Sequence, residues 1–495
     1  MNKDTYLCFI DFSKAFESVD HTMLFHKLLS IGIRGNMYRA IKATYSKLQA
    51  AVRLNDQLTD WFAVEAGVRQ GDNLAPTLFT LFIDDLVPEI NSLGLGIDID
   101  IGNLSCLLYA DDIVLLSDSC EGLQTQINRL SEWSKTWNLK VNTDKTKVMH
   151  VRKASKAESE FRFYFNDMVL EIVPKYRYLG LVITNHLDFK ESVDELVSAG
   201  SRSLGSLTSK YYEMDGMDYV TYTKVFFSTV STIIEYASGV WGCKRYDSLE
   251  RLQYRAIRTF LGWYPVFLST QCNVMRLMCR LIRIPDSRLC HKVFLWDQEI
   301  SKRYKNTWFN NAKTIIESCG LNYIMTPENA FSFSIPHVLD TMKNYLQDRH
   351  HLSWNESVQN MPKLRTYKLI KSQFSTEEYL KKCLSRNQRS ALSRMRCGMF
   401  PLELEKGRIR NIPVEQRICK MCDSGEVEDE FHFMINCKLY NDIRNELLQE
   451  LQTLHHNDFP DLSSIDKLKE LLNSNKSKTV AKFIIDCSIL KNQST

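Results

Sequence analysis

The chain has 495 residues, 44% apolar and 25% charged, with a formal net charge of +4. That length exceeds what a single core organises, so two to four domains are expected. The composition is globular rather than disordered, no apolar run approaches a membrane span, and the start lacks the apolar segment of a secretory signal.

In chain order, Tyr6–Ile10 is a short apolar run ending in Asp11 and reads as a buried strand. Ser13–Ile31 has near-helical spacing of Phe16, Val19, Leu24, Leu28 and Ile31. A second helix is predicted over Met37–Leu48. A hairpin is predicted over Ala51–Glu65, turning at Leu54–Leu58. Leu74–Asn91 is predicted helical, with Pro76 in its first turn. Strand material follows between Ile97 and Leu116, then a helix over Glu121–Trp137, then strands at Lys147–Val151 and Tyr178–Ile183. Beyond about Thr184 the pattern is mainly helical, with Lys302–Ser372 weakly patterned.

Two places look built for aspartate-based metal chemistry. Asp11 closes the first strand. Asp111 and Asp112 stand between the apolar runs Cys106–Tyr109 and Ile113–Leu116, so the simplest geometry is a β-hairpin with both acids at its tight turn. Like charges placed together there are costly unless a cation sits between them. Taken singly, Asp11 reads as well as a capping residue and Asp111-Asp112 as an ordinary turn. Their order along the chain, and the segments between and after them, carry more weight than either alone.

Phe9–His21 resembles motif A of reverse transcriptases, most closely those of non-LTR (LINE-type) retrotransposons. Gly67–Pro76 resembles their motif B, Tyr109–Asp112 motif C, Leu139–Thr146 motif D and Tyr178–Gly180 motif E. Five motifs in the family's order over about 170 residues outweigh any one of them. The resemblance implies that Asp11, Asp111 and Asp112 hold two Mg2+ (or Mn2+) ions for nucleotidyl transfer. It places Phe16, five residues past Asp11, at the steric gate that excludes a ribose 2′-hydroxyl. It puts Gln70 and Gly71 at the incoming nucleotide, Lys145 as proton donor to pyrophosphate, and Tyr178, Leu179 and Gly180 at the primer end. The implied partners are an RNA template, a DNA primer and deoxynucleoside triphosphates, with no membrane.

Further along, Cys419, Cys422, His432 and Cys437 have the residue types of a tetrahedral Zn2+ set and resemble the Cys-Cys-His-Cys segment of the same elements. Met361–Arg410 holds thirteen Lys/Arg against four Asp/Glu, a balance that suits a polyanion. The implied fold class is α+β: a polymerase palm with an antiparallel sheet and packed helices, then a mainly helical thumb and C-terminal region with a small zinc-binding-like lobe. The implied domains are a palm with residual fingers over 1–184, a helical thumb or connector over 185–300, and a basic helical linker over 301–410. A zinc-like lobe over 411–445 and a helical segment over 446–495 follow.

Only ten residues precede Asp11. The family's upstream fingers and nuclease do not fit there, so the chain reads as a fragment or a 5′-truncated copy. That leaves an alternative from another class, a nucleic-acid-binding remnant without catalysis. An RNA-copying RNA polymerase is a third reading, and Phe16 speaks against it. Fourteen cysteines without a small-domain spacing fit free thiols in a reducing, nuclear or cytoplasmic setting.

Overall fold

The computed structural model describes residues 4–69, 71–100, 102–214, 216–257, 262–325, 332–452 and 462–493. It divides into two compact units, residues 1–192 with 285–305, and residues 193–284 with 306–495.

The first unit is built on strand β1 (Thr5–Ile10). Helices α1 (His21–Ser30) and α2 (Gly35–Tyr45) follow. The expected hairpin is two nested pairs: β2 (Gln49–Ala50) with β5 (Phe62–Ala63), enclosing β3 (Arg53–Leu54) with β4 (Gln57–Leu58). Asn55 and Asp56 at its tip take φ of 43° and 65°, the left-handed pair that two-residue turns require. Helices α3 (Ala75–Ile83) and α4 (Leu86–Asn91) divide the predicted single helix at Asp84 and Asp85. Short strands β6 (Ile97–Asp98) and β7 (Asn103–Leu104) lead into β8 (Cys106–Tyr109) and β9 (Asp112–Ser117). Helix α5 (Cys120–Thr136) returns the chain to β10 (Lys147–Val151). Strands β11 (Phe163–Phe165) and β12 (Met168–Ile172) follow, and the sequence pattern did not single them out.

Six of these strands form one sheet in the order β11-β12-β10-β1-β9-β8. It is antiparallel except for the parallel pair β10/β12. Strand alternation sorts its two faces. Cys8, Ile10, Ile113, Leu115 and Val148 point into a core shared with Leu24, Leu28, Phe79, Phe82, Leu123 and Ile127 of the helices. Phe9, Val114, Leu116 and Met149 face the opposite way, against Tyr176, Tyr178 and Ile183.

Two expectations are corrected here. Ser13–Val19 is a run of turns and not helix; α1 begins at His21, with the Asp20 side chain accepting from the Thr22 and Met23 amides. Lys14, at φ 51°, cannot continue a right-handed helix, and Phe12 instead bridges to Val141. Tyr178–Ile183 is not one strand. β13 (Lys175–Tyr178) and β14 (Leu181–Thr184) form a hairpin whose turn, Leu179-Gly180, has φ of 47° and 82°.

The second unit is mainly helical among its described residues. It contains most of α6 (Lys190–Glu213), then α7 (Tyr219–Phe226), a π-helical turn Phe227–Ser231, α8 (Thr232–Ile234) and α9 (Ser238–Trp241). It continues with α10 (Asp247–Ile257) and α11 (Val266–Arg283), while α12 (Leu289–Ile300) belongs to the first unit. The weakly patterned region resolves into helices, mainly α13 (Trp308–Ser318) and α14 (Ile335–Asn360). Short α15 (Arg365–Ile370), α16 (Arg386–Arg396) and α17 (Glu403–Ile409) precede the cysteine-rich lobe. Helices α18 (Asn441–Gln452), α19 (Ser464–Asn473) and α20 (Ser477–Gln493) follow it.

The basic block of Met361–Arg410 is in part a packing element and not a bare cationic face. Arg389 and Arg396 are buried. Arg396 pairs with Glu377 at 2.6 Å, and Arg365 forks onto the buried Glu430 at 2.6 and 3.0 Å. A buried guanidinium needs such partners to offset lost hydration.

Candidate active site and metal centre

Asp11 follows the last residue of β1. Ile10 is registered against Ile113 of β9, so the next step of the antiparallel register brings Asp11 opposite Asp112. Tyr109 pairs with Asp112 across β8/β9, which makes Ala110 and Asp111 a two-residue turn, with Ala110 at φ 51°. The three acids thus stand at one end of two adjacent central strands. Asp111 and Asp11 are half-buried, and Asp112 is exposed as a residue. Its carboxyl is nonetheless raised above the ordinary range, first by partial desolvation and then by the charges of Asp111 and Asp11. Those three carboxylates lie within electrostatic reach of one another, the arrangement a divalent cation relieves.

The surrounding shell fixes Asp11. Its amide donates to the buried Thr146 hydroxyl at 3.2 Å, and its carbonyl accepts from the Asn142 amide at 2.8 Å. Lys145, on the same loop, brings its ammonium to 3.8 Å from the Asp11 carboxylate. Asn142 and Thr146 lie in the motif D segment but had no role assigned from the sequence, and Tyr176 was missed. Tyr176 stacks on Phe9 with ring centroids 4.3 Å apart, and its phenol is raised by burial and then by Asp11 and Asp112. Tyr178 is pushed up to about 12 by burial and then by Asp112. The alternating Tyr176/Tyr178 spacing before Leu179-Gly180 was the signal available for Tyr176.

Phe16 is half-buried and stacks on Phe79 of α3, ring centroids 4.4 Å apart. Its carbonyl accepts from Val68, and Val19's accepts from Gly67, both at 2.8 Å. This zips the turns after Asp11 to the Gly67 loop. A Cβ on Gly67, at φ 95°, would stand 3.0 Å from the Glu17 carbonyl oxygen, so glycine is required there. Gly71, at φ 87°, lies on the same loop with open space around it. Gln70 lies outside the described residues.

These features bring an aspartate triad, a lysine and a left-handed glycine loop to one end of a palm-like sheet. Residues 1–183 match the sequence profile of the reverse transcriptase (RNA-dependent DNA polymerase) family. This segment is a reverse transcriptase domain. Over 278 residues the chain is 24% identical to an RNA-directed DNA polymerase from mobile element jockey of Drosophila funebris, covering 54% of this chain and 30% of that protein. It is 26% identical over 189 residues to a Pol polyprotein from the type-2 retrotransposable element R2DM of Drosophila melanogaster, covering 37% and 18%. The chain thus spans about a third or less of these relatives' length. A telomerase structure from Candida albicans overlaps 72% of this chain and 49% of that one at TM-score 0.32 and 13% identity, too distant to carry an argument. These matches place the reverse transcriptase domain among relatives from non-LTR retrotransposons and do not favour the non-catalytic remnant.

In the second unit, Cys419, Cys422, His432 and Cys437 converge so that their ligand atoms all lie within 4.8 Å of one another. A short hairpin bridged by Ile418 and Val427 turns at Gly425 and carries the first two. The π-helical turn His432–Asn436 presents the imidazole and leads to Cys437. His432 Nδ1 lies 2.7 Å from the Glu426 carboxylate, which orients the ring and leaves Nε2 facing Cys422 Sγ at 3.4 Å. Three sulfurs and one imidazole nitrogen fit a tetrahedral ion. The hairpin is tied into the unit by two buried carboxylates, Glu428 to Lys491 of α20 and Glu430 to Arg365. Among the described residues no helix is long and apolar enough to cross a membrane.

Proposed function

We propose that the chain carries out RNA-directed DNA synthesis, with Asp11, Asp111 and Asp112 holding two Mg2+ (or Mn2+) ions for nucleotidyl transfer. The supporting observation is the strand register that sets Asp11 against the Asp111-Asp112 hairpin tip. The ions would stabilise the attacking and leaving oxygens. The chain's own contribution is positional: two hydrogen-bonded central strands fix the acids, and Thr146 and Asn142 fix the backbone of Asp11.

In this reading Phe16, braced by Phe79, excludes the 2′-hydroxyl of a ribonucleotide, and Gln70 and Gly71 line the nucleotide pocket. Lys145 hands a proton to the departing pyrophosphate; its place beside Asp11 supports that role. The β13/β14 turn at Tyr178, Leu179 and Gly180 holds the primer end. The Cys419/Cys422/His432/Cys437 set binds one structural Zn2+. The substrates are an RNA template, a DNA primer and deoxynucleoside triphosphates. By the proposed domain plan, the palm of 1–184 is followed by a thumb over 185–300, a linker over 301–410, the zinc lobe over 411–445 and a helical end over 446–495.

The test is template-dependent deoxynucleotide incorporation by the full chain with Mg2+ or Mn2+. The wild type incorporates and Asp111→Asn does not. Incorporation no higher than that of Asp111→Asn, with template bound, refutes the reading. Phe16→Ala should admit ribonucleotides; unchanged sugar discrimination would remove the gate from the mechanism.

A further inference from the structure

In the second unit a cavity of about 600 Å³ opens beside α7, the π-helical turn and α11. A second hollow of about 350 Å³ continues along α11 and shares Glu235, Asn273 and Arg276 with the first. Together they form one groove, within the size range of built ligand sites.

Its lining has three chemical characters. Phe227 lines it while 45% exposed, its ring set against Trp263 at a centroid distance of 5.2 Å, so an aromatic face remains available. Three exposed cations, Arg276, Arg280 and Lys343, border it against one carboxylate, Glu235. That carboxylate is already engaged by the Ser231 hydroxyl at 2.6 Å and the Asn273 amide at 3.4 Å. Finally, Thr223 lines the groove, and its hydroxyl is shut off from solvent with no hydrogen-bond partner. A buried hydroxyl left without a partner costs stability. Phe227 opens the π-helical turn, a distortion that recurs at functional sites.

We infer that this groove binds single-stranded nucleic acid, stacking one unpaired base on Phe227 while Arg276, Arg280 and Lys343 follow the phosphates. A free aromatic face in a cationic channel is the combination that holds unpaired strands. A duplex keeps its base faces stacked inside and has none to offer. The inference deepens the polymerase reading and rests on it for the class of ligand.

The experiment measures binding of fluorescent oligouridine and of a hairpin duplex of equal length to the full chain, with photocross-linking by 5-iodouridine in the single strand. Phe227→Ala should weaken single-strand binding at least about fivefold, the loss of one base–ring stack, and change duplex binding less than about twofold. The double change Arg276→Ala/Lys343→Ala should lower the log–log salt slope for the single strand by about 1.4. Cross-links should map to the peptide holding Phe227. Unchanged single-strand affinity in Phe227→Ala, or cross-links only elsewhere, overturns the inference. The Asp111→Asn chain separates it from the polymerase reading, since groove binding should survive that change. Binding and cross-linking at Phe227 without incorporation by the wild type would refute the polymerase and leave the groove. Incorporation without them would refute the groove alone.

Discussion

Replacing Asp112 by asparagine removes one of three carboxylates that share the end of the β1/β9 pair, and the result separates a metal site from an ordinary acidic turn. Acids opposed across antiparallel strands stand about 6 Å apart, and in water each such repulsion is worth about 0.7 kcal/mol. Asp112 faces one such charge, Asp11, across the strands and has Asp111 beside it in the turn; as an exposed residue it feels both screened, so Asp112→Asn should stabilise the metal-free chain by roughly 0.5–1 kcal/mol. The pH dependence has a definite sign. The Asp112 carboxyl is raised, so the folded chain holds that proton more tightly than the unfolded one. The wild type therefore loses stability as pH rises through the carboxylate range, while the variant is spared that loss. The two should converge in acid and separate fully by neutral pH. At the proposed site Mg2+ should reverse the ranking, because an ion at a hundred times its dissociation constant adds about 2.7 kcal/mol to the form that binds it. Hydrogen exchange of peptides spanning β8 and β9, followed through urea with EDTA or with Mg2+, reads all three effects. If Asp112→Asn destabilises the metal-free chain, or Mg2+ protects both forms equally, the acids are not a shared cation site.

Lys27 is 3% exposed, with its ammonium 3.7 Å from the Trp137 ring centroid and 2.7 Å from Asp85. Burial pushes it down to about 8, partly offset by Asp85. The unfolded chain then binds that proton more tightly, so stability should rise between pH 8 and 10.5, by about 3 kcal/mol. Lys27→Met should abolish that rise, read as the difference between the two urea midpoints across this range. Gly67→Ala should cost about 1–3 kcal/mol by combining a left-handed backbone with a contact on Glu17. The same unfolding assay should show that loss, together with reduced incorporation. Cys437→Ser should remove one equivalent of zinc per chain in a colorimetric assay, and exchange protection across residues 417–437 should be lost with it. Retained protection after metal removal would make the cluster a plain thiol core.

The sequence determined the parts whose physics is local. Apolar runs of strand length ending in acids announced β1 and the β8/β9 hairpin, and Leu54–Leu58 announced a hairpin turn, which the structure places at Asn55-Asp56. Helical periodicity reported α2, α5 and a mainly helical character beyond about Thr184 for the same reason, but not the individual helices α13 and α14 of the weakly patterned stretch. Decisions made by distant partners were invisible. Phe16 and Val19 have helical spacing, yet their carbonyls are claimed by Gly67 and Val68, and helix gives way to turns. Leu179 and Gly180 sit in an unbroken apolar phrase that bends because β13 packs Tyr176 against Phe9. The basic stretch around Arg396 became interior because Glu377 was there to pair with it. A side chain's identity sets what it can bond to; only the folded chain sets which partner arrives, and competition among partners overrides local preference wherever burial leaves no water to bond instead.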